Sequence, residues 1–334
     1  MNKILILGGT NFIGRNLMES LVLNDDLELT IFNRGKTNPN LFPQITKIVG
    51  DRNTTDINLI FNSNWDYIID LSCYYPNSLT QILKGINPSL KRYIFISTCS
   101  VYDNDSEKTI LRGENSLLKS CSKMESVDTT LDTYGKRKVH CEKVLKQSGI
   151  RYSILRPALV YGQYDNTDRF YYWLYQIKMD HDLLMPNNGE SLFSVTYVKD
   201  LVNAIIKTIN TDLISDTYNI TSNPKISISE IINTTSELLN QKYKAHNASS
   251  NFLKNNNISE WTDLPLWLDS DFFTFDNSKI LKDLNLKISD FETSIKDTLS
   301  YFDKLGWKVP NYGLSEEVRM KLIDKLKKTM SYNK

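Results

Sequence analysis

Tyr134 and Lys138 lie four residues apart at the start of a segment whose pattern predicts a helix over 133–147. Residues at i and i+4 share one helix face. On such a face an ammonium group lowers the pKa of a neighbouring phenol and prepares it to take or give a proton. Two hydroxyls precede the pair. Ser97 and Thr98 end a predicted strand, 92–97, and continue into Cys99-Ser100-Val101-Tyr102. A hydroxyl at a strand end can hold the same substrate oxygen that a tyrosine serves. Tyrosine and lysine at this spacing are common by chance, so the pair needs a positioned redox partner before it means chemistry. The stretch Lys3 to Gly14, KILILGGTNFIG, provides the reason to expect one. Ile4–Leu7 reads as a fully buried strand, Gly8-Gly9 break it, and a helical pattern starts at Phe12. Strand, glycine turn and helix start form the context in which a dinucleotide fingerprint counts. Gly8 permits the tight turn, Gly14 lets the helix approach the strand, and the helix N-terminus offers unpaired N–H groups to a pyrophosphate. The middle glycine of that pattern falls on Asn11, so the copy is imperfect.

The second strand bears on the cofactor's ribose. An NAD site favours Asp or Glu at its end, about 20 residues past the glycines. Here Leu29-Thr30-Ile31-Phe32 ends in Asn33-Arg34-Gly35-Lys36. No carboxylate repels a 2′-phosphate and Arg34 can pair with one, which places NADP ahead of NAD. The competing reading has Arg34 stacked on adenine or solvated. His140, His181 and His246 are scattered and point to neither a metal site nor a hydrolase triad. Cys73, Cys99, Cys121 and Cys141 show no metal spacing and read as reduced thiols of a cytoplasmic protein. Trp173, Trp261 and Trp267 are candidates for stacking on a base or sugar, although aromatic clusters of this kind more often form core.

Larger features set bounds on these readings. The 334 residues suit one large domain or two closely joined ones. A formal net charge of +1 gives no global field for nucleic acid or anionic membrane. No apolar run reaches membrane-spanning length, and the chain starts in a strand without a signal-peptide layout. Strands are expected at 3–7, 28–32, 45–49, 66–71, 92–97 and 152–156, and helices near 12–22, 55–62, 78–86 and 133–147. This alternation predicts an α/β fold, a doubly wound parallel sheet with helices on both faces. Beyond Tyr161 the pattern becomes mixed. Helices are expected over 169–178, after Asp200, from 229 to 239, and over 315–328. The basic stretch Arg319 to Lys328 is balanced by Glu316, Glu317 and Asp324 and reads as a solvated helix face. The segment 103–132 is long, charged and aperiodic, a surface excursion or a cover for substrate. The expected division is a dinucleotide-binding domain over 1–160, with returning segments near 194–220, and a smaller mixed substrate region over 161–330.

Taken in order, the glycine turn, the Ser-Thr strand end and the Tyr134/Lys138 pair resemble the extended short-chain dehydrogenase/reductase family of nucleotide-sugar epimerases, dehydratases and reductases. Gly50-Asp51, Leu155-Arg156-Pro157-Ala158-Leu159-Val160-Tyr161-Gly162, Ser194 to Asp200, and Asp297-Thr298-Leu299 extend the likeness over nearly the whole chain. A narrower likeness, in GGTNFIG, Phe32 to Pro39, Asp168 to Trp173 and Leu264-Pro265-Leu266-Trp267, points to an atypical bacterial epimerase/dehydratase branch. That branch is also similar to plant chloroplast stem-loop-binding proteins. The resemblance implies a Rossmann sheet, with the cofactor held by Gly8, Thr10, Asn11, Phe12, Ile13, Arg34, Asp51, Leu71, Ser72, Tyr134, Lys138, Pro157 and Val160. Asp51 resembles the residue that bonds the adenine amino group, and a turn aspartate is the alternative. Counting back from Val101-Tyr102 selects Thr98 over Ser97, which leaves Thr98, Tyr134 and Lys138 as the catalytic set. Cys99, Ser100, Arg169 and Tyr197 are the substrate-side candidates. Cys99 and Ser100 stand where 4,6-dehydratases of the family carry Asp and Glu. Water elimination is therefore disfavoured unless the Cys99 thiol acts as an acid. The implied function is NAD(P)-dependent epimerisation or reduction of a nucleotide sugar, with a homodimer possible. The alternatives are dehydration through Cys99, or a non-catalytic nucleotide-sensing or RNA-binding protein on the same fold.

Overall fold

The computed structural model describes residues 1–212 and 215–332. β1 (Asn2–Leu7) runs through the glycine turn into α1 (Phe12–Leu21), followed by β2 (Leu27–Asn33), β3 (Thr46–Val49), β4 (Tyr67–Asp70), α2 (Pro76–Gly85), β5 (Arg92–Ile96), α3 (Tyr134–Lys146) and β6 (Tyr152–Pro157). The second half holds β7 (Leu159–Tyr161), α4 (Arg169–Lys178), β8 (Leu183–Pro186), β9 (Phe193–Tyr197), α5 (Val198–Ile209), β10 (Asp216–Ile220), β11 (Asn223–Ile226) and α6 (Ile228–Leu239). It closes with β12 (Ala245–Ala248), α7 (Ser250–Asn255), α8 (Ser278–Asp283), α9 (Phe291–Leu305) and α10 (Glu316–Tyr332). Among the described residues the main sheet has seven strands in the order β10-β6-β5-β4-β1-β2-β3, and its pairings are all parallel. The order reverses between β1 and β4, and in open α/β sheets that switch point opens the ligand crevice at the carboxyl ends of the strands.

The apolar runs explain why the sheet is central. In β1, Ile4 and Ile6 pack on one face with Leu17, Leu21, Leu201 and Ile205. Leu5 and Leu7 pack on the other with Ile57, Leu79, Ile82 and Leu145. A strand buried on both faces has no polar side, hence its continuous hydrophobicity. A smaller mixed assembly accompanies the main sheet. β11-β9-β7 form a three-stranded sheet, with β9 antiparallel to β11 and parallel to β7, and β12 pairs with β8. Its aromatic core includes Tyr161, Phe170, Trp173, Phe193 and Trp267.

Some expectations change. Residues 55–62 form a 3₁₀ helix. The helix expected after Asp200 begins before it, at Val198. α9, with fifteen residues, had no counterpart in the sequence reading. Arg319 is not on a solvated face: it is 2% exposed, and its Nε donates to the Asp182 carbonyl beside buried Leu322 and Ile323. The excursion over 103–132 is pinned by fully buried Arg112, whose guanidinium donates to Asn104, to the Glu107 carbonyl and to the Phe272 carbonyl. Among the described residues no helix is long and apolar enough to cross a membrane.

Candidate active site

At the glycine turn the backbone has positive φ at Gly8, +123°, a region L side chains rarely adopt. A Cβ on Gly14 would lie 2.6 Å from the Gly9 nitrogen, so the approach of α1 to the turn requires glycine. Asn11 is the N-cap of α1, and its side chain makes no capping bond. The turn is tied to β2 from below. Asn33 Nδ2 donates to the Gly8 carbonyl and to Thr10 Oγ1, both at 3.3 Å, while its Oδ1 accepts from Gly35 N at 2.8 Å. Asn38 Nδ2 donates to the Thr10 carbonyl at 2.9 Å. The asparagine standing where an NAD site usually has a carboxylate thus holds the turn. Arg34 is exposed at the end of the same strand. Asp51 is half-buried, and its Oδ1 accepts from Asn53 N at 2.9 Å, so one of its oxygens belongs to a turn. Leu71 lies against Gly8, and the Ser72 hydroxyl donates to the Leu7 carbonyl at 3.1 Å. Both therefore border the turn. Ile13 and Val160 are half-buried between the two main core clusters, Phe12 is half-buried against one of them, and Pro157 is the buried last residue of β6.

At the other end of the crevice the carboxyl end of β5 meets the first turn of α3. A Cβ on Gly135 would fall 2.1 Å from the Ser100 carbonyl oxygen, so this glycine, which drew no notice in the sequence, lets helix and strand end touch. The Thr98 hydroxyl lies close enough to Tyr134 to favour its ionised form. Thr98 Oγ1 in turn accepts from Ser100 N at 3.1 Å and donates to Ser100 Oγ at 3.2 Å. Ser97 points elsewhere and donates to Glu142 at 2.6 Å, as the choice of Thr98 over Ser97 implies. Lys138 is buried. Its Nζ donates to the carbonyls of Cys73 at 3.0 Å and Ile96 at 2.6 Å and sits 4.1 Å over the Phe95 ring. The expected lowering of the Tyr134 pKa by Lys138 is not what this geometry produces. Burial pushes the phenol up to about 12, opposed by the Thr98 hydrogen bond and by the charges of Arg169 and Arg137.

Two buried ion pairs support this end of the crevice, and neither pairing is legible in the sequence. Arg52 grips Asp70, at the end of β4, through two nitrogens at 2.5 and 2.9 Å, and Tyr93 donates to the same carboxylate at 2.6 Å. Burial disfavours ionisation of Asp70, but the Arg52 charge and hydrogen bonds outweigh it and hold the carboxyl below its usual range. Arg156 likewise grips Glu142 at 2.9 and 2.6 Å. A signal was available: an apolar strand, YIID, that ends in a carboxylate needs a cation.

The substrate-side candidates divide. Arg169, at the start of α4, has its guanidinium 5.2 Å from the Trp261 ring and 5.9 Å from that of Tyr312, and its charge acts on Tyr134. Ser100 is beside Thr98. Cys99 is fully buried, its thiol donates to the Arg156 carbonyl at 3.2 Å, and burial pushes its pKa well up. An acid in that state holds its proton in the core, so the structure offers no support for a Cys99 acid. Tyr197 is 3% exposed, and its hydroxyl donates to Asp297, which also binds Lys199 and Gln163. The structure places it in a packing network rather than in the crevice. Trp173 and Trp267 are core, and Trp261 alone of the three tryptophans meets a crevice residue. A cavity of about 310 Å³ adjoins the glycine turn, lined among others by Asn11, Phe12, Arg15, Asn38 and Asp165.

A family model described as the NAD dependent epimerase/dehydratase family matches residues 4–221. Among curated proteins the chain is 25% identical, over 225 residues, to the chloroplast stem-loop binding protein of 41 kDa b from Arabidopsis thaliana, covering 63% of this chain and 56% of the relative. It is 29% identical, over 186 residues, to a UDP-glucose 4-epimerase from Vibrio cholerae, covering 48% and 52% respectively. The chain thus spans little more than half the length of these two relatives. Among solved structures, UDP-glucuronic acid 4-epimerase from Bacillus cereus in complex with UDP-glucuronic acid and NAD superimposes with a TM-score of 0.70 at 20% identity, covering 91% of this chain and 99% of that one. At that identity the likeness speaks for the fold.

Proposed function

The chain belongs to the NAD dependent epimerase/dehydratase family of enzymes, and from that premise we propose that it epimerises or reduces a nucleotide-activated sugar at a carbinol or ketone carbon. The observation that carries this reading is the close approach of Gly135 to Ser100, which sets Tyr134 beside the Thr98 strand end, in a crevice that starts at a glycine turn. The residues fit a nicotinamide dinucleotide: Gly8 makes the tight turn, Gly14 lets α1 approach it, and the α1 N-terminus offers N–H groups to a pyrophosphate. When bound, the cofactor supplies a site that accepts or returns hydride. Arg34, exposed and with no carboxylate at the end of its strand, favours the 2′-phosphate of NADP over NAD in this reading.

The chain's own groups handle the proton. Thr98 orients the substrate oxygen against the Tyr134 hydroxyl. A phenol held near 12 keeps its proton at neutral pH and donates it to a ketone oxygen. In the reverse direction it takes the carbinol proton, and then Arg169, Arg137 and the Thr98 hydrogen bond are the groups that favour the phenolate. Lys138 holds its ammonium on two carbonyls at the strand ends and stands ready for the nicotinamide ribose. Dehydration is not part of the proposal, because Cys99 is buried and Ser100 has no carboxylate.

The test is a panel of UDP-, GDP- and dTDP-sugars and their 4-keto forms incubated with protein and either cofactor, followed by mass and chromatography. Epimerisation leaves mass unchanged, and reduction adds two mass units. Tyr134→Phe is expected to cut turnover by about two to four orders of magnitude with cofactor binding nearly unchanged. An unchanged rate in that variant, or loss of water from any sugar, would defeat the assignment. A second reading, RNA binding on the same fold, is favoured by the likeness to the stem-loop binding protein. Retention of a stem-loop RNA at physiological salt, with no turnover of any sugar, would select it.

A further inference from the structure

Cys73 and Cys141 are far apart in sequence, yet their Sγ atoms are 3.8 Å apart in the core. Cys73 follows Ser72 in the loop after β4, and its carbonyl is one of the two acceptors that hold the Lys138 ammonium. Cys141 stands three residues after Lys138 on α3, about one helical turn further along. The pair therefore ties together the two parts of the chain that place Lys138.

We propose that Cys73 and Cys141 form an oxidisable dithiol site, and that its oxidation by a peroxide joins them as a disulfide that displaces Lys138 from its carbonyl anchors. The two sulfurs have unequal roles. Burial opposes ionisation of Cys73, but the hydrogen bond it shares with Cys141 and the charge of Arg52 outweigh it and hold that thiol below its ordinary value. The same hydrogen bond, with burial, raises Cys141. Cys73 is thus the attacking thiolate and Cys141 the resolving thiol. In the first step Cys73 Sγ bonds to one peroxide oxygen, the O–O bond breaks, and hydroxide leaves. In the second, Cys141 Sγ attacks the sulfenic sulfur, the S–O bond breaks, and water leaves with the Cys141 proton. The sum is two thiols and one hydrogen peroxide giving one disulfide and two waters.

The bond formed is about 2 Å long, so the 3.8 Å contact must shorten by nearly half. The Cys73 loop and the first turns of α3 take up that movement, and the Lys138 ammonium, carried by α3 and bound to the Cys73 carbonyl, bridges them. Both sulfurs are buried, and in this proposal peroxide enters from the side of the loop on which the next residue, Tyr74, is 51% exposed. A thiol reductant reverses the change.

The test uses the full-length protein carrying Cys121→Ser, which removes the half-exposed thiol and leaves the core cysteines in place. The protein is treated with hydrogen peroxide, quenched with N-ethylmaleimide, and mapped by mass spectrometry. A Cys73–Cys141 cross-linked peptide pair is expected, absent after dithiothreitol and absent in a second variant that adds Cys141→Ser. Amide hydrogen exchange over 72–75 and 134–138 should rise in the oxidised form and return on reduction. Alkylated free thiols at both positions, or a cross-link with unchanged exchange in those segments, overturns the proposal. Neither readout needs an active enzyme. A further consequence rests on the cofactor role proposed above for Lys138: affinity for NAD or NADP should fall about tenfold on oxidation, the scale of one charge-assisted hydrogen bond. If the reduced protein binds neither cofactor, that role fails while the dithiol site is still decided by the peptide map and the exchange data.

Discussion

The two ends of the crevice are built by different physics. At the glycine turn the shape comes from backbone: positive φ at Gly8, the Gly14–Gly9 approach, and neutral amides from Asn33 and Asn38 holding the loop. At the Tyr134 end the shape comes from buried charge. Lys138 rests on two carbonyls, and the Arg52–Asp70 and Arg156–Glu142 pairs are buried at the same end. A site bounded by fixed sterics tolerates changes of salt, whereas one bounded by buried ions depends on every partner being present. Asp165 makes the contrast sharper. It lines the cavity beside the glycine turn and accepts from Thr167 N and Oγ1 at 2.8 Å, but among the described residues it forms no ion pair. Burial accordingly pushes it up to about 6, against those hydrogen bonds, while the paired Asp70 is held down.

The comparison breaks first where charge is uncompensated. Glu142→Ala should leave Arg156 buried without its carboxylate and cost about 3–5 kcal/mol, read by urea unfolding. A loss below about 1 kcal/mol would mean that the pair is not what fixes this end of the crevice. Gly14→Ala should cost about 1–3 kcal/mol, because the new Cβ meets backbone that cannot swing aside. That loss should be equal at low and high salt, and a strong salt dependence would erase the proposed difference between the two ends.

The smallest effect is a matter of sign. Asp165 binds its proton more tightly in the folded than in the unfolded protein, so it favours folding below about pH 4, and that help is lost as pH rises through about 6. Asp165→Asn should therefore stabilise the protein by about 1–2 kcal/mol at pH 8 and leave it unchanged near pH 3.5, measured by thermal unfolding at both values. Asp70 works in the opposite sense: its contribution is present above the ordinary carboxylate range and is lost as pH falls through its lowered value. A gain from Asp165→Asn that is equal at both pH values would remove the charge explanation.

The main sheet was legible because its signals are local. A strand buried on both faces must be apolar throughout, as Ile4–Leu7 are, and a turn at positive φ wants glycine, as at Gly8. The i, i+4 spacing of Tyr134 and Lys138 is likewise a property of one helix. The residues that depart from expectation depend on what faces them across the fold. Arg319 carries the same charge as the solvated lysines around it, yet tertiary packing sets it against the Asp182 carbonyl. Cys99 lies between Thr98 and Ser100 in sequence and Tyr197 ends β9, but the packing of the β5 end and of β9 turns both into the core. The Arg52–Asp70 and Arg156–Glu142 pairs, the Gly135–Ser100 approach and the Cys73–Cys141 contact join segments that no local pattern relates. Local sequence thus determined which elements form, which of their faces are apolar, and where a glycine turn meets a helix start. Only the tertiary structure decided which charges meet, which hydroxyl faces Tyr134 and how high its pKa stands, because desolvation and ion pairing depend on neighbours brought together by the whole chain.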